Sequence, residues 1–243
     1  MGRHLKTKAN LEKEKGSPES KVQGLSPDME ILPNEAPKGR AFGIALARFV
    51  IQNHLHIIEV HASDTARAIE TRKLALAQLA LSYPHFPTFD VVAPSRALWE
   101  HRKGSLEDGG LEGMLRSEAY PDEETRHRAK TDSDFLHGAE GSGGETPNQA
   151  GERWVEQWFK PLIAQPNFQQ RETPEDPIPT VVAFGHNLVT DRGISRLMHE
   201  EHEPLSGKYK VSNGTGLILA EFDSGWMVLP DRIIPTAEEL TGA

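Results

Sequence analysis

The run Thr180-Val181-Val182-Ala183-Phe184 constrains the fold more than any other stretch of the chain. A strand with apolar residues on both of its faces cannot turn one of them to water. It belongs inside a parallel sheet covered on both sides. Parallel neighbours need helical crossovers, and the sequence offers them. Phe42, Ala45, Leu46, Phe49 and Val50 recur at one-face helical spacing and predict a helix over 39–52. Ile57-Ile58-Glu59-Val60 predicts a second strand, residues 65–81 a helix of strong helix formers, and residues 89–93 a third strand. Thr146-Pro147-Asn148-Gln149 supplies a capping hydroxyl, a proline at the first helical position and a glutamine placed to close a capping box. The helix it starts should bury Val155, Trp158, Phe159 and Leu162. Residues 216–222 and 226–229 read as a closing hairpin. These elements predict one α/β domain over 1–243, in three layers, with a mostly parallel central sheet and helices on both faces.

Two stretches break the alternation. Residues 11–38, rich in Glu, Lys, Ser and Pro, read as an extended variable loop over the mouth of the site. Residues 107–144 mix charge and glycine around a short helix expected at 111–116, and read as an insertion that shapes substrate choice. Residues 174–179 read as a linker turn.

Ligands in open α/β sheets gather beyond the C-terminal ends of strands. His186 lies directly past the 180–184 strand, and Arg67 falls in the first turn of the helix that follows 57–60. There the backbone N–H groups and the helix dipole favour an anion. Arg3-His4 adds a second arginine and an imidazole. Arginine grips phosphate oxygens bidentately and stays charged. A neutral imidazole can attack phosphorus, and a carboxylic acid must then protonate the departing alkoxide. Glu100 in Leu98-Trp99-Glu100 is the candidate acid, with Glu107 and Glu112 as nearby alternatives. The set implies phosphoryl transfer, in which catalysis is mostly positioning and cationic stabilisation.

Arg3-His4-Leu5-Lys6-Thr7-Lys8-Ala9-Asn10 resembles the Arg-His-Gly-x-Thr/Ser-x-x-Asn signature of the histidine phosphatase superfamily, also called phosphoglycerate-mutase-like. Further similar segments follow in order: Gly39-Arg40 opening the first long helix, 63–71, 98–107, Gly143-Gly144-Glu145-Thr146 and Asn213-Gly214-Thr215. The resemblance implies the superfamily's fold and a phosphatase with a phosphohistidine intermediate. It implies His4 as nucleophile, with Arg3, Arg67 and His186 forming the phosphate pocket and Thr7 and Asn10 lining it. Acid-phosphatase branches carry an aspartate after the second histidine. Here that position is Asn187, which leaves the acid to Glu100 and puts Asn187 among the phosphate ligands. No cofactor and no metal are implied, and the partner is a small phosphorylated substrate. A mutase would clamp a second phosphate, for which Arg126, His127 and Arg128 are candidates. A silent binding module of the same fold is the third reading. Two departures bear on it. Leu5 stands where the signature has glycine and is expected to narrow the pocket. Only Met1 and Gly2 precede Arg3, so the buried strand before the signature is expected to be missing or truncated.

Composition excludes other classes. A net charge of −9 argues against nucleic-acid and anionic-membrane partners. The absence of cysteine removes disulfides, thiolate metal sites and thiol nucleophiles. Met-Gly-Arg-His-Leu-Lys has no secretory core behind it, and no run reaches membrane-spanning length, so a cytoplasmic protein is expected. The oligomeric state is left open. His199-Glu200-Glu201-His202 lacks zinc-hydrolase spacing and reads as a solvated helix end. Residues 141–144 lack the lysine of a phosphate-binding loop and read as a turn. His61, Ser63 and Asp64 lack a nucleophile elbow and form no hydrolase triad.

Overall fold

In the computed structural model of the chain, residues 1–22, 30–166, 173, 175–200, 208–209, 211–222 and 225–242 are described. They run β1 (Gly2–Arg3), α1 (Lys8–Glu14), α2 (Ala36–Gln52), β2 (Leu55–Ala62), α3 (Ala66–Ser82) and β3 (Asp90–Val91). After two short helices, α4 (Arg116–Ala119) and α5 (Glu123–Thr131), comes α6 (Pro147–Trp154), which passes through a π-helical stretch at Val155–Phe159 into α7 (Lys160–Ile163). The chain then forms β4 (Ile178–Gly185), α8 (Asn187–Leu197), β5 (Gly216–Phe222), β6 (Gly225–Ile233) and α9 (Ala237–Gly242).

The sheet order is β3-β2-β4-β1-β5-β6. The first four strands are parallel, and the β5-β6 hairpin adds antiparallel to β1. The apolar strand β4 lies inside it, paired with β2 on one side and β1 on the other. Its side chains alternate between two cores, as the pleat requires. Val182 and Phe184 pack with Phe42, Leu46 and Ile57 under α2 and α3, whereas Ala183 packs with Trp154, Val155, Trp158 and Ile194 under α6 and α8. Fully burying each large apolar side chain contributes about 1.5–3 kcal/mol. The three-layer α/β expectation is met.

Glycine sets how closely the helices approach. A Cβ on Gly43 of α2 would lie 2.1 Å from the carbonyl oxygen of Ala75 in α3, so any side chain there forces the pair apart. On the opposite face a Cβ on Gly193 of α8 would enter the Trp154 ring, at 2.5 Å.

Several expectations need correction. The strand expected to be missing or truncated is present as β1, which includes Arg3 and fills its slot in the sheet: Gly2 registers with Phe184 of β4 and with Gly216 of β5. The expected loop over 11–38 begins inside α1 and ends inside α2. Thr7 and Asn10 form a capping box that starts α1, which composition alone concealed. Gly39-Arg40 lies inside α2 rather than at its start, because Pro37 occupies the first turn and the helix begins at Ala36. Residues 111–115 turn instead of forming a helix. Helical residues come later, where the Asp122 side chain caps α5 by accepting the Thr125 N–H. Strand β3 keeps only two of its five expected residues. The turn expected at 174–179 gives way to strand at Ile178. His199 and Glu200 follow the end of α8, with His199 at φ 57°, and residues 201–202 fall outside the described residues. Among the described residues, no helix is long and apolar enough to cross a membrane.

Candidate active site

The C-terminal ends of β1, β2 and β4 converge, and each delivers part of the site. His4 follows β1, Ser63 and Thr65 follow β2, and His186 follows β4 as the N-cap of α8. Arg67 is the second residue of α3, and Glu100 stands on the loop after β3.

His4 is buried and held by its backbone and its ring. Its N–H donates to the Gly185 carbonyl at 3.2 Å, and its own carbonyl accepts from Asn213 Nδ2 at 2.7 Å. Nδ1 lies 2.6 Å from the Leu5 carbonyl. A carbonyl only accepts, so Nδ1 carries the proton and Nε2 keeps its lone pair. The His186 ring lies 5.1 Å away, centroid to centroid. His186 Nε2 meets Ser63 Oγ at 3.0 Å and Thr65 Oγ1 at 3.2 Å, and its Nδ1 lies 3.2 Å from Glu100 Oε2. The same carboxylate oxygen accepts from Arg67 Nη2 at 3.4 Å. Arg3 Nη1 donates to the Val211 carbonyl at 3.0 Å.

Burial, reinforced by His186 and Arg67, holds the His4 imidazole well below its ordinary pKa, and burial lowers His186 against the pull of Glu100. Both rings are therefore neutral near pH 7. Burial pushes the Glu100 carboxyl up, but the contact with His186 and the Arg67 guanidinium outweigh it and hold the group well below the usual carboxylate range. Glu100 is thus ionised while no other anion is present.

A cavity of about 840 Å³ opens above these residues, bordered by Arg3, Asn10, Glu100, Lys103 and Asn187 among others. His4, Arg67 and His186 lie beneath it, each 1% exposed. Glu100 occupies the boundary and engages Arg67 and His186. Its backbone is fixed from behind. Arg153 donates to the carbonyls of Ala97, Trp99 and Glu100 and pairs with Glu145, which also accepts the Arg102 N–H. Trp99 Nε1 donates to Asp64 Oδ1 at 3.0 Å.

Of the residues expected in the site, His4, Glu100, His186 and Arg67 come together, and Arg3, Asn10 and Asn187 border the cavity above them. Thr7 does not border it. Its hydroxyl caps α1 and accepts the Asn10 N–H at 3.3 Å. Asn187 Oδ1 accepts the Val211 N–H at 2.6 Å. Glu107 and Glu112 are not among the residues that border the cavity, whereas Glu100 and Asp191 are, and of these Glu100 reaches Arg67 and His186. Leu5 does not narrow the pocket. It is wholly buried, with its methyls in space left by Gly39 and Gly214, where added Cβ atoms would lie 2.8 and 3.1 Å from them. The glycine missing from the signature is matched by glycines elsewhere. The sequence reading overlooked Asn213, Arg153, Thr65 and Thr71, which position the site; Thr71 Oγ1 accepts the Leu5 N–H at 3.0 Å and donates to the Arg67 carbonyl at 2.6 Å. The one legible signal was an arginine, Arg153, within the helical stripe of an otherwise apolar buried face.

His4, Glu100 and His186 place one ligand atom each within 4.8 Å of one another, a set that can hold a metal ion. Arg67 pairs with the same carboxylate and Arg3 borders the same cavity. Two fixed cations repel a metal and attract an anion.

No protein-family model matches the chain, and neither does any curated protein. Solved structures do. A mycobacterial glucosyl-3-phosphoglycerate phosphatase in complex with VO3 superposes with a TM-score of 0.63 at 17% identity, over 93% of this chain and 94% of that one. YhfR of Bacillus stearothermophilus gives 0.62 at 16% identity, over 93% and 92%. A mycobacterial hydrolase gives 0.59 at 18% identity, over 98% and 92%. The sheet order, the helices on both its faces and these neighbours agree: the chain has the phosphoglycerate-mutase-like fold.

Proposed function

We propose that the protein is a metal-independent phosphatase that hydrolyses phosphomonoesters through a phosphohistidine. The observation that carries this reading is the His4 Nδ1 contact with the Leu5 carbonyl: it puts the proton on Nδ1 of a buried, neutral ring and leaves the lone pair on Nε2, with the His186 ring 5.1 Å away, centroid to centroid. In the first step Nε2 attacks phosphorus as the bond to the leaving oxygen breaks, and Glu100, protonated in the complex, gives that oxygen its proton. The alcohol departs. In the second step Glu100 takes a proton from water, the water oxygen attacks phosphorus, and the P–N electron pair returns to His4. Inorganic phosphate is released. Arg3, Arg67 and His186 hold the equatorial oxygens throughout.

Glu100 changes role with occupancy. A bound phosphate takes over the Arg67 and His186 donors, so the carboxylate loses what keeps it ionised and its pKa rises toward that of an acid able to donate. Phosphatase is favoured over mutase because, of Arg126, His127 and Arg128, only Arg126 borders the cavity. Arg128 instead lies 3.3 Å from Asp132. A silent module would not need a nucleophile held in its reactive tautomer. Hydrolysis of an aryl phosphate should survive a strong chelator and be blocked by vanadate. Loss of activity on chelation, restored by zinc or magnesium, contradicts the proposal.

A further inference from the structure

The two imidazoles of the site are held by partners of different chemistry. A backbone carbonyl fixes His4, and because a carbonyl only accepts, that ring has a single tautomer. Two hydroxyls hold His186 instead. Its Nε2 lies 3.0 Å from Ser63 Oγ and 3.2 Å from Thr65 Oγ1, and a hydroxyl can both donate and accept. Ser63, Thr65 and His186 are 0%, 4% and 1% exposed, so the protein itself must satisfy Nε2.

Thr65 forgoes the usual local use of its hydroxyl to make this contact. It is the N-cap of α3, a position where threonine ordinarily accepts an N–H of the first turn and stabilises the helix. Its side chain makes no such bond. Thr7 and Thr146, the N-caps of α1 and α6, both do, each within a capping box. Ser63 is placed by its backbone, whose N–H donates at 2.9 Å to the carbonyl of Phe184, two residues before His186. The hydroxyl-bearing end of β2 is thereby registered against the histidine-bearing end of β4. On the other side of the ring Nδ1 is buried, lies 3.2 Å from Glu100 Oε2 and makes no well-aligned hydrogen bond. A lone pair there would oppose the ionised carboxylate. Nδ1 therefore carries the proton, and Nε2 keeps the lone pair between the two hydroxyls.

Resting on the phosphatase reading, we propose that Ser63 and Thr65 are positioning residues that keep His186 Nδ1–H on the transferring phosphoryl group whether the ring is neutral or cationic. While the ring is neutral, a hydroxyl donates its hydrogen to the Nε2 lone pair. When the ring takes up a proton alongside a bound anion, the hydroxyls rotate and the new Nε2–H is shared between their oxygens. No movement of the ring is needed. A carbonyl in their place would force the hydrogen onto Nε2 and turn the lone pair toward the phosphate, and a carboxylate would favour the cation even in the empty site. The charges around the ring suit both states. Burial lowers His186, Glu100 opposes this, and Arg67 and Arg3 reinforce it, while His4 across the pocket stays neutral. A phosphate that displaces Glu100 brings more negative charge to the ring and favours its second proton.

The test reads the ring directly, by nitrogen-15 NMR of protein labelled at histidine, with the His186 signals assigned through His186→Gln. In the empty site near neutral pH, Nδ1 should be protonated and Nε2 unprotonated. With sulfate bound, Nε2 should gain its hydrogen as pH falls. Sulfate keeps one charge over this range, so the titration belongs to the protein. The double variant Ser63→Ala, Thr65→Val should lower the pH at which sulfate-bound His186 gains that hydrogen by about one unit or more, because the bond from a cationic donor is the stronger of those lost. It should also weaken sulfate binding by about tenfold or more. Thr65→Ser keeps the hydroxyl and should titrate as wild type does. Hydroxyls with only a packing role would change the melting temperature and leave the titration in place. An unchanged titration in the folded double variant, or in both single variants where the double variant does not fold, overturns the inference, as does Nε2 protonated in the empty wild type. None of these readings needs turnover. The expected titrations with no phosphate ester hydrolysed would support the positioning role and refute the phosphatase, whereas turnover with an unchanged titration would do the reverse.

Discussion

Replacing Glu100 by glutamine keeps the side-chain shape and removes the carboxylate that pairs with Arg67 and His186. In the empty site Glu100 Oε2 holds His186 Nδ1 at 3.2 Å and Arg67 Nη2 at 3.4 Å, so an incoming phosphate must displace it. Charge-assisted hydrogen bonds of good geometry contribute about 1.5–3 kcal/mol each, and these two are long. Freeing the donors from a competing carboxylate should therefore strengthen binding of a phosphate mimic by about 1–2 kcal/mol, roughly fivefold to thirtyfold. Loss of the general acid acts in the opposite direction on turnover. Alkyl phosphates, whose leaving groups need the proton, should slow by about a hundredfold or more, and aryl phosphates by much less. The assays are vanadate inhibition constants and steady-state kinetics on a matched alkyl and aryl pair, wild type against E100Q. Weaker vanadate binding in E100Q, or equal losses on both esters, would refute the displacement argument.

Leu5→Gly should destabilise the protein by about 3–5 kcal/mol in chemical denaturation, because a fully buried isobutyl side chain is lost and backbone freedom is gained. Unchanged stability with raised activity would show that Leu5 obstructs the pocket after all. Sulfate, a dianion of fixed charge near neutral pH, should bind with proton uptake. It draws Arg67 and His186 from Glu100 and favours protonated imidazoles, so all three lowered pKa values rise and affinity strengthens as pH falls. Calorimetry in buffers of different ionisation heat reads this, and proton release would contradict it. Arg153→Met leaves Glu145 buried without its main partner and frees the Glu100 loop. A destabilisation of about 3–5 kcal/mol with a fall in kcat is expected, and kcat at the wild-type value would remove the strut role.

What the sequence discloses about this fold depends on how local the cause is. The 180–184 strand, the α2 stripe and the Thr146 cap are local patterns, and each element was found where its pattern placed it, to within a few residues. Arg67 and His186 were legible because strand ends are where such sheets collect ligands, and the two residues follow short apolar runs that read as strands. Tertiary compensation was not legible. Leu5 looked like an obstruction in one dimension, whereas in three its methyls rest where Gly39 and Gly214 have no side chains. Thr7 read as a pocket residue because a capping box and a phosphate-binding turn use the same short polar side chains, whereas Asn10 both closes the box and borders the cavity. The two-residue β1 lies below any periodicity test and is held by its neighbours in the sheet.

The central claim is that His4 Nε2 becomes covalently phosphorylated. Rapid acid-free quenching of the protein during turnover of a radiolabelled phosphate ester should trap one protein-bound phosphate that is stable in base and lost in acid, as a phosphoramidate is. The label should be absent from His4→Ala and retained, or accumulated, in E100Q with an aryl ester, where the first step needs little acid but hydrolysis loses its base. An undiminished label in His4→Ala, or turnover by wild type with no acid-labile label at any quench time, would contradict the account.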